Sequence, residues 1–285
     1  MFSGRTDLVR LPVTVTDGKG HVVTGLTAAD FRVYEDGRLQ SITVFHAGDT
    51  PVTVGFVVDH SQSMRPKLSP LAAAVALLAQ SAHPDDEMFV VNFSDHVSLD
   101  LPGGIPFTHD GGDLQTALFA TSAAGRTSLY DAVIAGLDHL RAGQWDKRAL
   151  IVVSDGGDNA SLHTYAQVRA AARESQTVIY AVGLIDESTG EDERPDVLER
   201  LCSDSGGVAM FPRTNDEIAA VLAQVGRDLR EQYTLGFVPA TRTAGAVHKI
   251  TVTASAPGLG KLHVRTRADY AVPRGPLGSN PEDPR

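Results

Sequence analysis

Four runs of apolar residues constrain this chain more than any other feature: 52–58 (Val-Thr-Val-Gly-Phe-Val-Val), 88–93 (Met-Phe-Val-Val-Asn-Phe), 149–153 (Ala-Leu-Ile-Val-Val) and 178–182 (Val-Ile-Tyr-Ala-Val). A strand that is apolar on both faces has to be covered on both faces, the condition of a parallel strand inside an α/β sheet. Between the runs, apolar positions recur at helical spacing over 68–81, 114–121, 128–140 and 165–174. A helical pattern at 196–202, a short extended stretch at 208–211 and a helix over 215–230 complete the series. Strands alternating with helices of this length predict an α/β fold, a doubly wound and mostly parallel sheet flanked by helices.

The two ends of the chain read differently. Residues 13–16 alternate, Asp17-Gly18-Lys19-Gly20 turns, and short extended pieces surround a second turn at Asp36-Gly37. The β pattern returns in 234–238, 249–253 and 261–267. Neither end holds enough strands to be stable alone. The expectation is one small β-sandwich built from 6–50 and 231–272, with the α/β domain, 51–230, inserted between its halves. Gly, Pro and charge dominate 273–285, which reads as a disordered tail.

Among 285 residues the formal net charge is -10, so nucleic acid and anionic membrane are not expected partners. Cys202 stands alone, which rules out an intrachain disulfide and reads as a buried small side chain. No apolar run approaches the roughly 18 residues of a membrane span, so no transmembrane segment is expected. The first five residues lack a signal-peptide core. A secreted or envelope-associated protein, after removal of a targeting segment, is the expectation, with the cytoplasm as the alternative.

Chemistry concentrates where the first apolar run ends, at Asp59-His60-Ser61-Gln62-Ser63. Ligands of open α/β sheets bind beyond the carboxyl ends of the strands. A carboxylate and two hydroxyls at alternating positions are hard oxygen donors, suited to Mg²⁺, Mn²⁺ or Ca²⁺. An isolated D-x-S-x-S is more often a polar loop capping a helix. Two further junctions change that balance: Asp155, in Val-Ser-Asp-Gly directly after the third run, and Thr127, in Gly-Arg-Thr-Ser before a helix.

With these residues in place, the segment from about 52 to 230 resembles the von Willebrand factor A domain family, whose metal-ion-dependent adhesion site combines D-x-S-x-S with a later threonine and a later aspartate. The resemblance carries metal ligation onto Asp59, Ser61, Ser63, Thr127 and Asp155. Gln62 departs from the pattern, since relatives often have glycine there. The resemblance implies a cation, Mg²⁺ or else Mn²⁺ or Ca²⁺, with one coordination position left for a carboxylate from a partner protein. The flanking Ala29-Asp30-Phe31-Arg32-Val33-Tyr34-Glu35-Asp36-Gly37 and Gln232-Tyr233-Thr234-Leu235-Gly236-Phe237 look similar to a bacterial subgroup of A-domain proteins.

Four neighbours are candidates for the ligand-binding rim: His60, Gln62, Arg126 and Asp158, with Asn159 and Tyr130 close by in sequence. The acidic stretch 186–196 reads as a solvated insertion. The rival reading is a metal-dependent hydrolase or phosphotransferase on a doubly wound sheet. Against it, the chain has no G-x-S-x-G elbow, no phosphate-binding Gly-rich loop, and Ser61 where paired-aspartate phosphatases carry a second aspartate. A binding module rather than an enzyme is the expectation.

Overall fold

The computed structural model describes residues 8–185, 193–239 and 243–272. Its centre is a six-stranded sheet. β5 (Thr53–Asp59), β6 (Glu87–Phe93), β8 (Arg148–Ser154), β9 (Val178–Gly183) and β10 (Ala209–Met210) run parallel in the order β10-β9-β8-β5-β6, and β7 (Val97–Leu99) adds an antiparallel edge beside β6. All seven residues of β5 are buried, as the unbroken apolar run requires. Because β6 lies on one side of β5 and β8 on the other, the strand order reverses at β5, which opens a crevice at the carboxyl ends of β5 and β8.

Six helices cover the sheet: α1 (Leu68–Gln80), α2 (Gly111–Leu118), α3 (Leu129–His139), α4 (Tyr165–Ser175), α5 (Pro195–Ser205) and α6 (Asn215–Glu231). Their ends are set by local chemistry. Thr164 and Gln167 form a capping box at the start of α4. α5 opens on Pro195 and ends on Gly206 in the left-handed region. α6 buries Ile218, Leu222, Val225 and Leu229, spaced by four, three and four residues along one face.

The sequence placed α2 over 114–121, whereas the helix spans Gly111–Leu118. Asp110 accepts a bond from the Gly112 amide (2.6 Å) and starts the helix early, where two glycines hide the apolar periodicity. Strand β7 also escaped notice, because Val-Ser-Leu is too short to show a pattern.

The terminal segments form two further four-stranded sheets. One has the order β13-β1-β11-β4, from β1 (Val9–Thr16), β4 (Val44–His46), β11 (Tyr233–Phe237) and β13 (His263–Arg265). The other has the order β14-β12-β2-β3, from β2 (Phe31–Glu35), β3 (Arg38–Gln40), β12 (Val247–Ala254) and β14 (Asp269–Ala271). Each sheet takes two strands from each end of the chain, and the pairs β1 with β11 and β2 with β12 are antiparallel across that gap. One apolar cluster joins Leu11, Val13 and Leu235 of the first sheet to Phe31, Val33 and Ile250 of the second. β3 was not foreseen: Asp36 and Gly37, both with positive φ, fold Arg38–Gln40 straight back onto β2 although Arg38 and Leu39 are exposed and three residues are too few to show alternation.

Polar contacts tie these outer sheets to the α/β domain. Asp228 of α6 accepts hydrogen bonds from Tyr180 (2.5 Å) on β9 and Thr14 (3.3 Å) on β1, and pairs with Arg265 of β13. Arg173 of α4 makes a two-pronged pair with Asp269 of β14 at 2.6 Å, and the buried Arg267 donates to the Ala172 carbonyl at 2.9 Å. The tail at 273–285 and residues 186–192 of the acidic stretch lie outside the described residues. Among the described residues, no helix is long and apolar enough to cross a membrane.

Candidate metal centre

Three loops meet at the strand-order reversal. The first follows β5. Asp59 is fully buried at the strand end, where its Oδ1 accepts the Ser61 amide (2.7 Å) and its Oδ2 accepts the Ser154 hydroxyl (2.8 Å). Both oxygens are therefore held by donors from different strand ends. Burial pushes the Asp59 carboxyl up to about 6, and the charge of Asp155 adds to that rise, while the Ser61 and Ser154 bonds oppose it.

Ser61 and Ser63 leave the 3₁₀ turn Gln62–Lys67 with their hydroxyls 3.1 Å apart. The second loop follows β8: Asp155 Oδ2 accepts the Ser63 hydroxyl at 3.1 Å, and its Oδ1 accepts the Gly157 amide at 3.0 Å. The left-handed turn at Gly156 is obligatory, since φ is +87° and a Cβ there would sit 2.3 Å from the Arg194 carbonyl oxygen.

The third loop brings Thr127. Its amide donates to Asn159 Oδ1 (2.9 Å), and its carbonyl accepts the amides of Asn159 (2.9 Å) and Ala160 (3.0 Å). Gly125 immediately before it has φ +90°, and a Cβ there would lie 2.2 Å from Asp95 Oδ2. Asp95 in turn accepts the Arg126 amide at 2.9 Å.

Ser61, Ser63, Thr127 and Asp155 line one cleft of about 250 Å³, with Gln62, Arg126, Asn159 and Glu193 among the other lining residues. Asp59 sits behind it, bonded to the loops that form the wall. The structure thus draws all five expected ligands to one place, four on the surface of the cleft and one buried.

Two rim assignments need correction. His60 does not face the cleft: it is fully buried, with Nε2 2.9 Å from Asn92 Oδ1. Alternation along an extended segment sends Asp59 and Ser61 one way and the residue between them the other. Asp158 is absent from the lining; its Oδ1 instead accepts the Tyr130 amide (3.2 Å) and the Ser161 hydroxyl (2.5 Å), and its neighbour Asn159 reaches the cleft. Gln62 and Arg126 do line it, whereas Tyr130 does not.

Sequence reasoning missed the second partners: Ser154, which steadies Asp59, and Asp95, which steadies Arg126. Ser154 had a visible signal, a hydroxyl beside Asp155 at a buried strand end, whereas Asp95 lies 31 residues from Arg126 with no motif linking them. Glu193 belongs to the stretch read as a solvated insertion, yet it lines the cleft.

The donor set suits a small hard cation. It is entirely oxygen, three hydroxyls with two carboxylates, and among the described residues no group of three or more His, Cys, Asp or Glu side chains gathers at the cleft or elsewhere. The hydrogen bonds from Ser61 to Ser63 and from Ser63 to Asp155, both 3.1 Å, bring three of these oxygens side by side. The raised pKa of Asp59 marks a buried carboxylate that a nearby positive charge would relieve.

No curated protein matches this chain. Solved structures do. A von Willebrand factor type A protein from Catenulispora acidiphila superimposes with a TM-score of 0.54 at 12% identity, covering 95% of this chain and 74% of that one. The vWF domain of the type V pili tip protein Mfa5 from Porphyromonas gingivalis gives 0.51 at 11% identity, covering 64% of this chain and 95% of that domain. Proximal thread matrix protein 1 from the mussel byssus, in a form with a zinc-occupied MIDAS motif, gives 0.54 at 16% identity. That match covers 67% of this chain and about half, 48%, of the thread protein. At such identities the likeness establishes the fold alone. Within it, residues 54–157, the stretch from β5 through the Asp155 loop, match the family model of the von Willebrand factor type A domain.

Proposed function

We propose that this protein is a divalent-cation-dependent binding module whose metal is held by Asp59, Ser61, Ser63, Thr127 and Asp155 and takes a carboxylate from a partner protein as a further ligand. The observation that carries the reading is the convergence of two serine hydroxyls and the Asp155 carboxylate at 3.1 Å steps on the wall of one cleft, with Asp59 buried behind them.

Mg²⁺ is the cation this hard, all-oxygen donor set suits, with Mn²⁺ or Ca²⁺ as alternatives. The bound ion would supply a positive centre only partly neutralised by its ligands, since hydroxyls carry no charge, and so would attract an anionic oxygen. The protein's own residues do the rest. Ser154 and the Ser61 amide orient Asp59, Asn159 fixes Thr127, and Arg126 adds a guanidinium to the rim for an acidic ligand.

Binding is favoured over hydrolysis by the state of Asp59. A carboxylate that is fully buried behind the cleft wall lacks the exposure to a substrate that a nucleophile or general base requires. The two outer sheets are read as one β-sandwich formed jointly by the segments 6–50 and 231–272, into which the domain 51–230 is inserted. Adhesion or complex assembly outside the cell or in its envelope is the corresponding role, and the similarity of fold to a pilus-tip domain is consistent with it.

Calorimetric titration with Mg²⁺ and Mn²⁺ tests the reading. One ion should bind the wild type and none should bind Asp59→Ala. Equal binding by both proteins, or by neither, would overturn it.

A further inference from the structure

The residue inside the D-x-S-x-S stretch that turns away from the cleft opens onto a polar chain, buried at His60 and Asn92 and partly buried beyond them, that the proposed ligands do not use. His60 Nε2 lies 2.9 Å from Asn92 Oδ1. Asn92, fully buried on β6, spends both amide hydrogens elsewhere, on Asp100 Oδ2 (2.9 Å) and on the Ala117 carbonyl of α2 (2.7 Å). Its Oδ1 must therefore accept, and His60 must carry its proton on Nε2. Asp100 Oδ2 also accepts the hydroxyls of Ser98 (2.5 Å) on β7 and Thr121 (3.2 Å). Thr121 belongs to the loop that runs from α2 to Thr127, and Ala124 of that loop donates its amide back to the His60 carbonyl at 2.9 Å. The circuit closes: β5 end, β6, β7, α2 and the Thr127 loop are joined by side chains lying behind the cleft.

Such a chain is a poor way to add stability, because apolar side chains of similar volume serve as well or better. What the buried bonds from His60 to Asn92 and from Asn92 to the Ala117 carbonyl supply is a defined geometry. The two loops they join are those carrying Ser61 and Ser63 on one side and Thr127 on the other.

We propose that His60, Asn92 and Asp100 are positioning residues, setting the separation of the two ligand-bearing loops and thereby the preference for a small octahedral ion over a larger one. The proposal rests on the metal reading of the cleft. Mg²⁺ demands near-ideal octahedral geometry whereas Ca²⁺ tolerates irregular and expanded shells, so loosening the loops should penalise Mg²⁺ more.

The test is Mg²⁺ and Ca²⁺ affinity measured separately on wild type, Asn92→Leu, His60→Leu and His60→Gln, with melting in chelator as a check of folding. Asn92→Leu and His60→Leu should each weaken Mg²⁺ binding by about 10- to 100-fold, the usual range for groups that orient metal ligands. Ca²⁺ binding should fall less, narrowing the preference. His60→Gln, which can still donate to Asn92 Oδ1, should restore most of the Mg²⁺ affinity. Where Asn92→Leu fails to fold, Asp100→Asn, of equal volume, takes its place. Unchanged Mg²⁺ affinity in the folded leucine variants, or an equal fall for both ions with no rescue by glutamine, would overturn the proposal while leaving the metal site standing. A wild type that binds neither ion would overturn the metal reading, and this proposal with it.

Discussion

Two of the places where acidic groups gather, the cleft and the junction between the α/β domain and the outer sheets, are treated differently. At the junction, carboxylates meet cations. Asp228 is paired with Arg265 and hydrogen-bonded by Tyr180, Asp86 is paired with Arg230, and Asp269 with Arg173. At the cleft, Asp59 and Asp155 meet only hydroxyls and amides. The contrast separates two uses of a buried acid. One is neutralised within the protein and joins elements; the other, in the function proposed above, is left for a charge that comes from outside.

The sharpest test of that contrast is at Asp59. Asp59→Ala should abolish cation binding by calorimetry, yet with chelator present Asp59→Asn should melt no lower than the wild type, because an uncompensated buried charge is removed. A large fall in stability for Asp59→Asn would place it with the junction acids instead.

Asp228→Ala should behave in the opposite way. It strands Arg265 and the Tyr180 hydroxyl, and breaking a buried pair costs about 3–5 kcal/mol. Denaturant unfolding should show that loss while Mg²⁺ affinity stays the same. A change in Mg²⁺ affinity would mean that the two regions are coupled.

Lys147 is the exception at the junction. It is buried, its ammonium makes no hydrogen bond among the described residues, and burial, aided by Arg230, lowers its pKa from 10.5 to about 8. The unfolded chain therefore binds more protons between about pH 8 and 10.5, so stability should rise with pH across that window and carry the full penalty below it. Lys147→Met should stabilise the protein at pH 7 by up to about 3 kcal/mol. The advantage should shrink as the pH approaches 10, and a difference that ignores pH would show that Lys147 is not the titrating group.

The smallest effect is expected at Arg126, which is exposed and held to Asp95 by a 3.4 Å pair. Arg126→Ala should leave the melting temperature and Mg²⁺ affinity unchanged and weaken capture of an acidic peptide probe by less than about tenfold, mainly through slower association. A loss of Mg²⁺ binding would give Arg126 a part in building the site.

Much of this was legible in the chain itself. The four apolar runs imply strands covered on both faces, and β5, β6, β8 and β9 all fall on them within a residue at each end. Asp59, Ser61, Ser63, Thr127 and Asp155 were singled out because each stands at the junction of an element with a loop, and such junctions are local in sequence. What failed was local too, but silent: the glycines that open α2, and the three-residue strands β3 and β7.

What only the tertiary structure decided is which way side chains point and what meets across long separations. His60 and Asp158 were rim candidates by proximity in sequence, and backbone geometry turned one into the core and engaged the other with Tyr130 and Ser161. Ser154 bonding Asp59, Asn92 bonding His60, and Arg265 pairing with Asp228 join residues 95, 32 and 37 positions apart. Periodicity reports burial, because burial depends on the repeat of the element that carries a residue. Partnership depends on how separate elements pack, and that information is spread over the whole chain.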